Sequence, residues 1–268
     1  NAQTREETAW QAALTRASTP GRAVRYSVPV ASPNRSARFK NQPVRAASLE
    51  TFFPGDLNVL ARLGEVQRRF RGQFPNLFVP RVVVDEALPL RPYQLRPTDG
   101  RKSLAVALNQ ATFVSFEYPG HAVFIDEATS TLDETLRLLE IDVLNRVVYR
   151  YDNEVGLARG EERSLAIGKV LSLQLPTIAS DPTLFRELRA EWTQATARGE
   201  IRVSIEVEAR GNVDVLKFSI AATVARRVEV SSLRACASEA HDDALEGFKR
   251  LVTASFFESL EEDDDGAA

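Results

Sequence analysis

The stretch Ile201–Val224 constrains the fold more than any other part of this chain. Ile201, Val203, Ile205 and Val207 alternate with Arg202, Ser204, Glu206 and Glu208, a period of two that sends every second side chain to the same face of a strand. Gly211-Asn212 follows, with glycine at the first central position favoured by a two-residue type II′ turn. A turn placed there sets Val207 opposite Leu216, Ile205 opposite Phe218, Val203 opposite Ile220 and Ile201 opposite Ala222. On the other face it sets Glu206 opposite Lys217 and Ser204 opposite Ser219. Turn chemistry, apolar pairing and charge pairing agree without having been required to agree.

The apolar face of such a hairpin must be covered, and helical spacing elsewhere supplies the cover. The spacing predicts a helix over about Leu132–Arg150, with Leu132, Leu136, Leu139, Val143 and Val147 inward. Asp181-Pro182 reads as an N-cap and first helical position, opening a helix to about Arg198 with Leu184, Leu188 and Trp192 inward. A closing helix over about Ser232–Leu260 buries Leu233, Ala237, Ala240, Phe248, Leu251 and Val252. The expected fold is α+β: an antiparallel sheet including the 201–224 hairpin, covered by these amphipathic helices.

The front half is less regular, because eleven of the thirteen prolines fall in residues 1–119. A helix is expected over about Arg5–Ser18, and residues 22–47 read as an extended arm or edge strand, since prolines 29, 33 and 43 cannot donate to a ladder. Asp56 reads as an N-cap for a helix burying Leu57, Leu60, Leu63 and Phe70, with Arg68, Arg69 and Arg71 in its last turn and Gly72 as its stop. Val82–Val84 reads as a strand. Ala111–Tyr118 and His121–Asp126 read as a hairpin about Pro119-Gly120, while Glu161–Leu175 fits helix or strand. No internal repeat is visible. Three regions result: residues 1–47, an N-terminal helix and basic arm; 48–260, the globular domain; and 261–268, an acidic tail.

With 44% hydrophobic and 26% charged residues in 268, the chain can bury a substantial core. No apolar run reaches the ~18–20 residues of a transmembrane helix, and no signal-peptide pattern opens the chain. The single Cys236 excludes an internal disulfide, which fits a reducing compartment, so a cytoplasmic protein is expected.

Candidate chemistry begins with His121–Asp133, HAVFIDEATSTLD. These thirteen residues resemble the Walker B strand and following loop of ABC-type ATPases, which implies a magnesium-associated Asp126 and a water-activating Glu127. The phosphate loop G-x-x-x-x-G-K-[ST] has no counterpart, and Gly100-Arg101-Lys102-Ser103 lacks the Gly-Lys pair. The same letters also read as a strand end followed by a capping box from Thr131 to Glu134. As a hard-cation site, Asp126 and Glu127 would serve a metal-dependent phosphoester hydrolase. Two histidines, His121 and His241, and one cysteine cannot build a closed zinc site. No cofactor fingerprint is present, and no cofactor is expected.

Charge is the remaining signal. Residues 8–49 hold no acidic side chain against seven basic ones: Arg16, Arg22, Arg25, Arg35, Arg38, Lys40 and Arg45. Arginine forks grip phosphate bidentately and stack on bases, and Tyr26 and Phe39 interleave with them. The leading expectation is a non-enzymatic nucleic-acid-associated protein binding phosphate through Arg22, Arg25, Arg35, Arg38, Lys40 and Arg45. The alternatives are the hydrolase centred on Asp126 and Glu127, and a homo-oligomeric or protein-interaction scaffold without catalysis.

Overall fold

In the computed structural model the described residues are 43–80, 92–157, 163–172, 188–210 and 213–261. The chain divides into residues 1–40 and 41–268, and everything described below belongs to the second unit. Its centre is a nine-stranded sheet, every neighbouring pair antiparallel. The strands are β1 (Val44–Phe52), β2 (Asn76–Phe78), β3 (Tyr93–Arg96), β4 (Lys102–Ala107), β5 (Gln110–Ser115), β7 (Arg146–Gly156), β8 (Leu188–Ala195), β9 (Gly199–Arg210) and β10 (Val213–Val224). Their order is β2-β3-β4-β5-β1-β7-β10-β9-β8. A separate two-stranded ladder joins β6 (Val143–Leu144) to β11 (Val228–Glu229). The helices are α1 (Asn58–Phe70), α2 (His121–Leu138), α3 (Arg163–Val170), α4 (Leu233–Leu251) and α5 (Ala254–Glu261). Among the described residues no helix is long and apolar enough to cross a membrane.

The β9–β10 hairpin has the register expected from its alternation. Ile205 faces Phe218, Val203 faces Ile220, Ser204 faces Ser219 and Glu206 faces Lys217. Phe218 is buried and the two serine hydroxyls lie 2.7 Å apart. Val213 pairs with Arg210; Gly211 and Asn212, between them, lie outside the described residues. One detail differs. The Lys217 ammonium makes its ion pair with Glu208, one diagonal step along β9, a reach that a four-carbon stem allows.

Three helix expectations are corrected. The segment 188–195 is β8, with Trp192 opposite Val203. Residues four apart share a face of a strand as well as of a helix, so the Leu188–Trp192 spacing fits both. The predicted helix at 132–150 begins earlier and stops at Leu138, and Arg146–Gly156 is the central strand β7. There Val147, Tyr149 and Tyr151 alternate inward, as β-branched and aromatic residues favour. His121–Asp126 is the start of α2 and not a hairpin strand. Gly120, at φ 96°, turns the chain into that helix, and Phe124, Ile125, Ala128, Leu132 and Leu136 form its buried stripe.

Helix α1 lies where Asp56 signals it, and the Asp56 carboxylate accepts the Asn58 backbone N–H at 2.8 Å. Its buried face is Val59, Val66 and Phe70, with Leu63 packed beside them, while Leu57 and Leu60 are exposed. Two apolar stripes at helical spacing share this segment, and packing chose one. The closing helix is broken at Val252, whose backbone is extended and bridges to Leu171. Thr253 Oγ1 then accepts the Phe256 N–H at 3.2 Å and starts α5.

The described elements form two copies of one topology, although no repeat is legible in the sequence. In each, a first strand is followed by a short helix, three meandering strands and a long helix: β1, α1, β3, β4, β5, α2, then β7, α3, β8, β9, β10, α4. In both, the sheet order from the first strand is first, fourth, third, second. The copies join through the antiparallel β1–β7 pair. Helix α2 packs on β5 and β1, α4 packs on β7, β10 and β9, and the two helices touch. The core lies between them and the sheet, around Leu49, Phe113, Phe124, Leu132, Tyr149 and Phe218. Each large side chain so buried contributes about 1.5–3 kcal/mol relative to exposure.

Candidate functional site

Where α2 meets α4 over β7, the chain's two histidines come together. His121 is the first residue of α2, and its ring stacks on that of His241 from α4 with centroids 3.5 Å apart and planes at 25°. Tyr149 meets His241 edge to face at 5.3 Å, and Tyr151 does so at 6.1 Å. The period of two on β7 puts both tyrosines on the helix-covered face. Tyr118, just ahead of α2, bonds Tyr151 with the two hydroxyls 3.0 Å apart. The Asp242 carboxylate lies 3.3 Å from His241 Nδ1. Two polar atoms in this cluster are sealed from solvent without a hydrogen-bond partner: His121 Nδ1 and the Tyr149 hydroxyl.

Burial dominates the electrostatics. Desolvation lowers the pKa of both imidazoles; for His241 the neighbouring His121 lowers it further, while Asp242 opposes the shift. At His121, Asp242 and Asp126 favour the proton and Arg234 disfavours it. Burial pushes Tyr149, Tyr151 and Tyr118 upward, so their phenols stay neutral at ordinary pH and do not act as phenolate nucleophiles. Stacked imidazoles aim their nitrogens sideways, so the pair does not converge on one ion. Among the described residues no three His, Cys, Asp or Glu side chains are grouped to hold a metal.

The carboxylates singled out in the sequence sit nearby but diverge. Asp126 ion-pairs with Arg234 of α4, and Glu127 with Lys102 of β4 at 2.5 Å. Both stand on a helix, so the strand end of the Walker B resemblance is absent here. The expected capping box is absent too. Thr131 lies inside α2, where its carbonyl accepts the Thr135 hydroxyl at 2.7 Å. Glu134 instead accepts from Arg69 at 3.0 Å and Arg137 at 2.8 Å, which holds its carboxyl below the usual range.

Of the arm residues, Arg45 is described. It is exposed on β1, at the register shift between Val44 and Ala46. Arg22, Arg25, Arg35, Arg38 and Lys40 lie outside the described residues, as do Arg5–Ser18, Val82–Val84 and the tail 262–268. The histidine–tyrosine cluster is what sequence reasoning missed. Its one sequence signal is Tyr149 and Tyr151 two apart in a β-branched run, obscured when 132–150 is read as a helix. No protein-family model and no curated protein sequence matches this chain.

Proposed function

We propose that this chain is a non-enzymatic protein that binds the phosphates of nucleic acid through the basic segment 22–45. The observation that carries the reading is Arg45, an exposed cation without a carboxylate partner at a bulge of β1. It ends a run of seven cations unbroken by any acid, and it roots that run in a strand from the middle of the sheet. Bulges re-aim side chains out of the ladder. The ion pairs that occupy Asp126 and Glu127 weigh against the hydrolase alternative, since a cation would have to displace Arg234 and Lys102.

A salt titration tests it. Seven phosphate contacts on duplex DNA give a log–log slope of about −6, and three or four give about half that. Replacing Arg35, Arg38 and Lys40 by Ala should flatten the slope by up to ~3 and weaken all sequences alike. Removing residues 261–268 should tighten binding by deleting competing acids. No binding at low salt, or a slope unchanged in the triple variant, ends this reading.

One observation favours the scaffold instead. Edge strand β2 exposes Leu77 and Phe78, Val79 follows it, and Leu57 and Leu60 are exposed on and beside α1. Exposed apolar edges invite pairing between chains. A concentration-dependent dimer in sedimentation, dispersed by Phe78→Ser, would put that reading first.

A further inference from the structure

We infer that His121 and His241 are a proton-operated latch between α2 and α4, closed while the pair is neutral and opened when both rings take up protons from solvent. The inference is independent of the phosphate-binding reading and concerns the other end of the described structure's chemistry, its interior polar cluster. With centroids 3.5 Å apart, two imidazolium rings cannot remain stacked. Coulomb repulsion at that distance makes the second proton bind on the order of a hundredfold more weakly than the first.

The charged and titratable groups around the pair come from every element packed on it. Helix α4 brings Asp242, 3.3 Å from His241 Nδ1, and Arg234. Helix α2 brings Asp126, which Arg234 already neutralises. Strand β7 brings Tyr149 and Tyr151, and the segment before α2 brings Tyr118, none of which carries charge at neutral pH. Asp242 therefore compensates one imidazolium, and no carboxylate is left to compensate the second. His121 Nδ1, sealed and without a partner, has no acceptor for the proton it would gain unless its ring moves. The ring that moves carries the first turn of α2 with it, because Gly120 precedes it at φ 96° as a pivot. That motion uncovers the Tyr118–Tyr151 hydrogen bond and the buried Tyr149 hydroxyl.

The test is an imidazole NMR titration of the intact chain between pH 8 and 4.5, with hydrogen exchange followed in parallel. The expected result is two separated titration steps. The second should coincide with at least about tenfold faster exchange of the amides of residues 123–127, corrected for intrinsic rate, and with shifts of the Tyr118 and Tyr151 rings. His121→Phe, which keeps a ring in the stack and removes its proton, should hold those amides closed at pH 5. Two independent single-step titrations in the wild type would overturn the latch. So would accelerated exchange at pH 5 that persists unchanged in His121→Phe. Should that variant fail to fold, the wild-type titration decides alone.

Discussion

Leu49 and Tyr149 lie directly opposite each other across the β1–β7 pair, both fully buried at the seam between the two topological copies. The two positions face the same helix layer, but one presents only carbon and the other carries a hydroxyl with no hydrogen-bond partner. The seam is therefore apolar on one side and polar-aromatic on the other. The histidine pair sits on the polar side.

Tyr149→Phe should stabilise the protein. Removing a buried donor that has no partner relieves a desolvation penalty of about 1–3 kcal/mol. Tyr118→Phe and Tyr151→Phe break a formed hydrogen bond and should each cost about 1 kcal/mol. Urea denaturation midpoints order the three; a Tyr149→Phe variant less stable than wild type would show that the hydroxyl is satisfied in solution.

Two glycines should respond to alanine with opposite signs. A Cβ on Gly199 would lie 2.1 Å from the Thr223 carbonyl oxygen, a backbone atom that cannot swing aside. Gly199→Ala should cost at least about 1–3 kcal/mol, as overpacking does. Gly64 sits exposed inside α1 with nothing near its would-be Cβ, so Gly64→Ala should gain about 0.5–1 kcal/mol. Thermal melts of the two variants suffice, and equal shifts would refute the geometry.

Stability should fall on mild acidification. Both histidines are held below the ordinary value of 6.5, first by burial, so the folded state binds fewer protons than the unfolded chain. Their contribution is complete above about pH 6.5 and is lost as pH drops through the folded values. The melting temperature should be level between pH 8 and 7 and decline between 6.5 and 5. His241→Asn should flatten that decline; the same slope in the variant would assign it to other groups.

Asp126→Asn and Glu127→Gln should each change stability by only about 0–1 kcal/mol, since they break partly exposed ion pairs, with side chains 59% and 34% exposed. Neither should abolish an activity. Magnesium-dependent hydrolysis of nucleotides or nucleic acid, lost in these variants, would restore the hydrolase reading.

The sequence by itself determined the β9–β10 register, the core of α4 and the start of α1, because each is written in local terms. A two-residue turn, a period of two or a capping carboxylate acts within a few residues. Where two periods fit the same letters, tertiary structure decided. Leu188 and Trp192 satisfy strand and helix alike, and pairing with β9 settled them as strand. The short apolar run His121–Ile125 became a helix because Gly120 turns the chain over the sheet, where Phe124 and Ile125 are buried. Neither the duplicated topology nor the contact of His121 with His241 was legible. The repeat is conserved in strand order and not in residue type, and the histidines are 120 positions apart. Their meeting depends on where two helices cross a sheet whose central pair, β1 and β7, closes only after a hundred residues of chain have folded back.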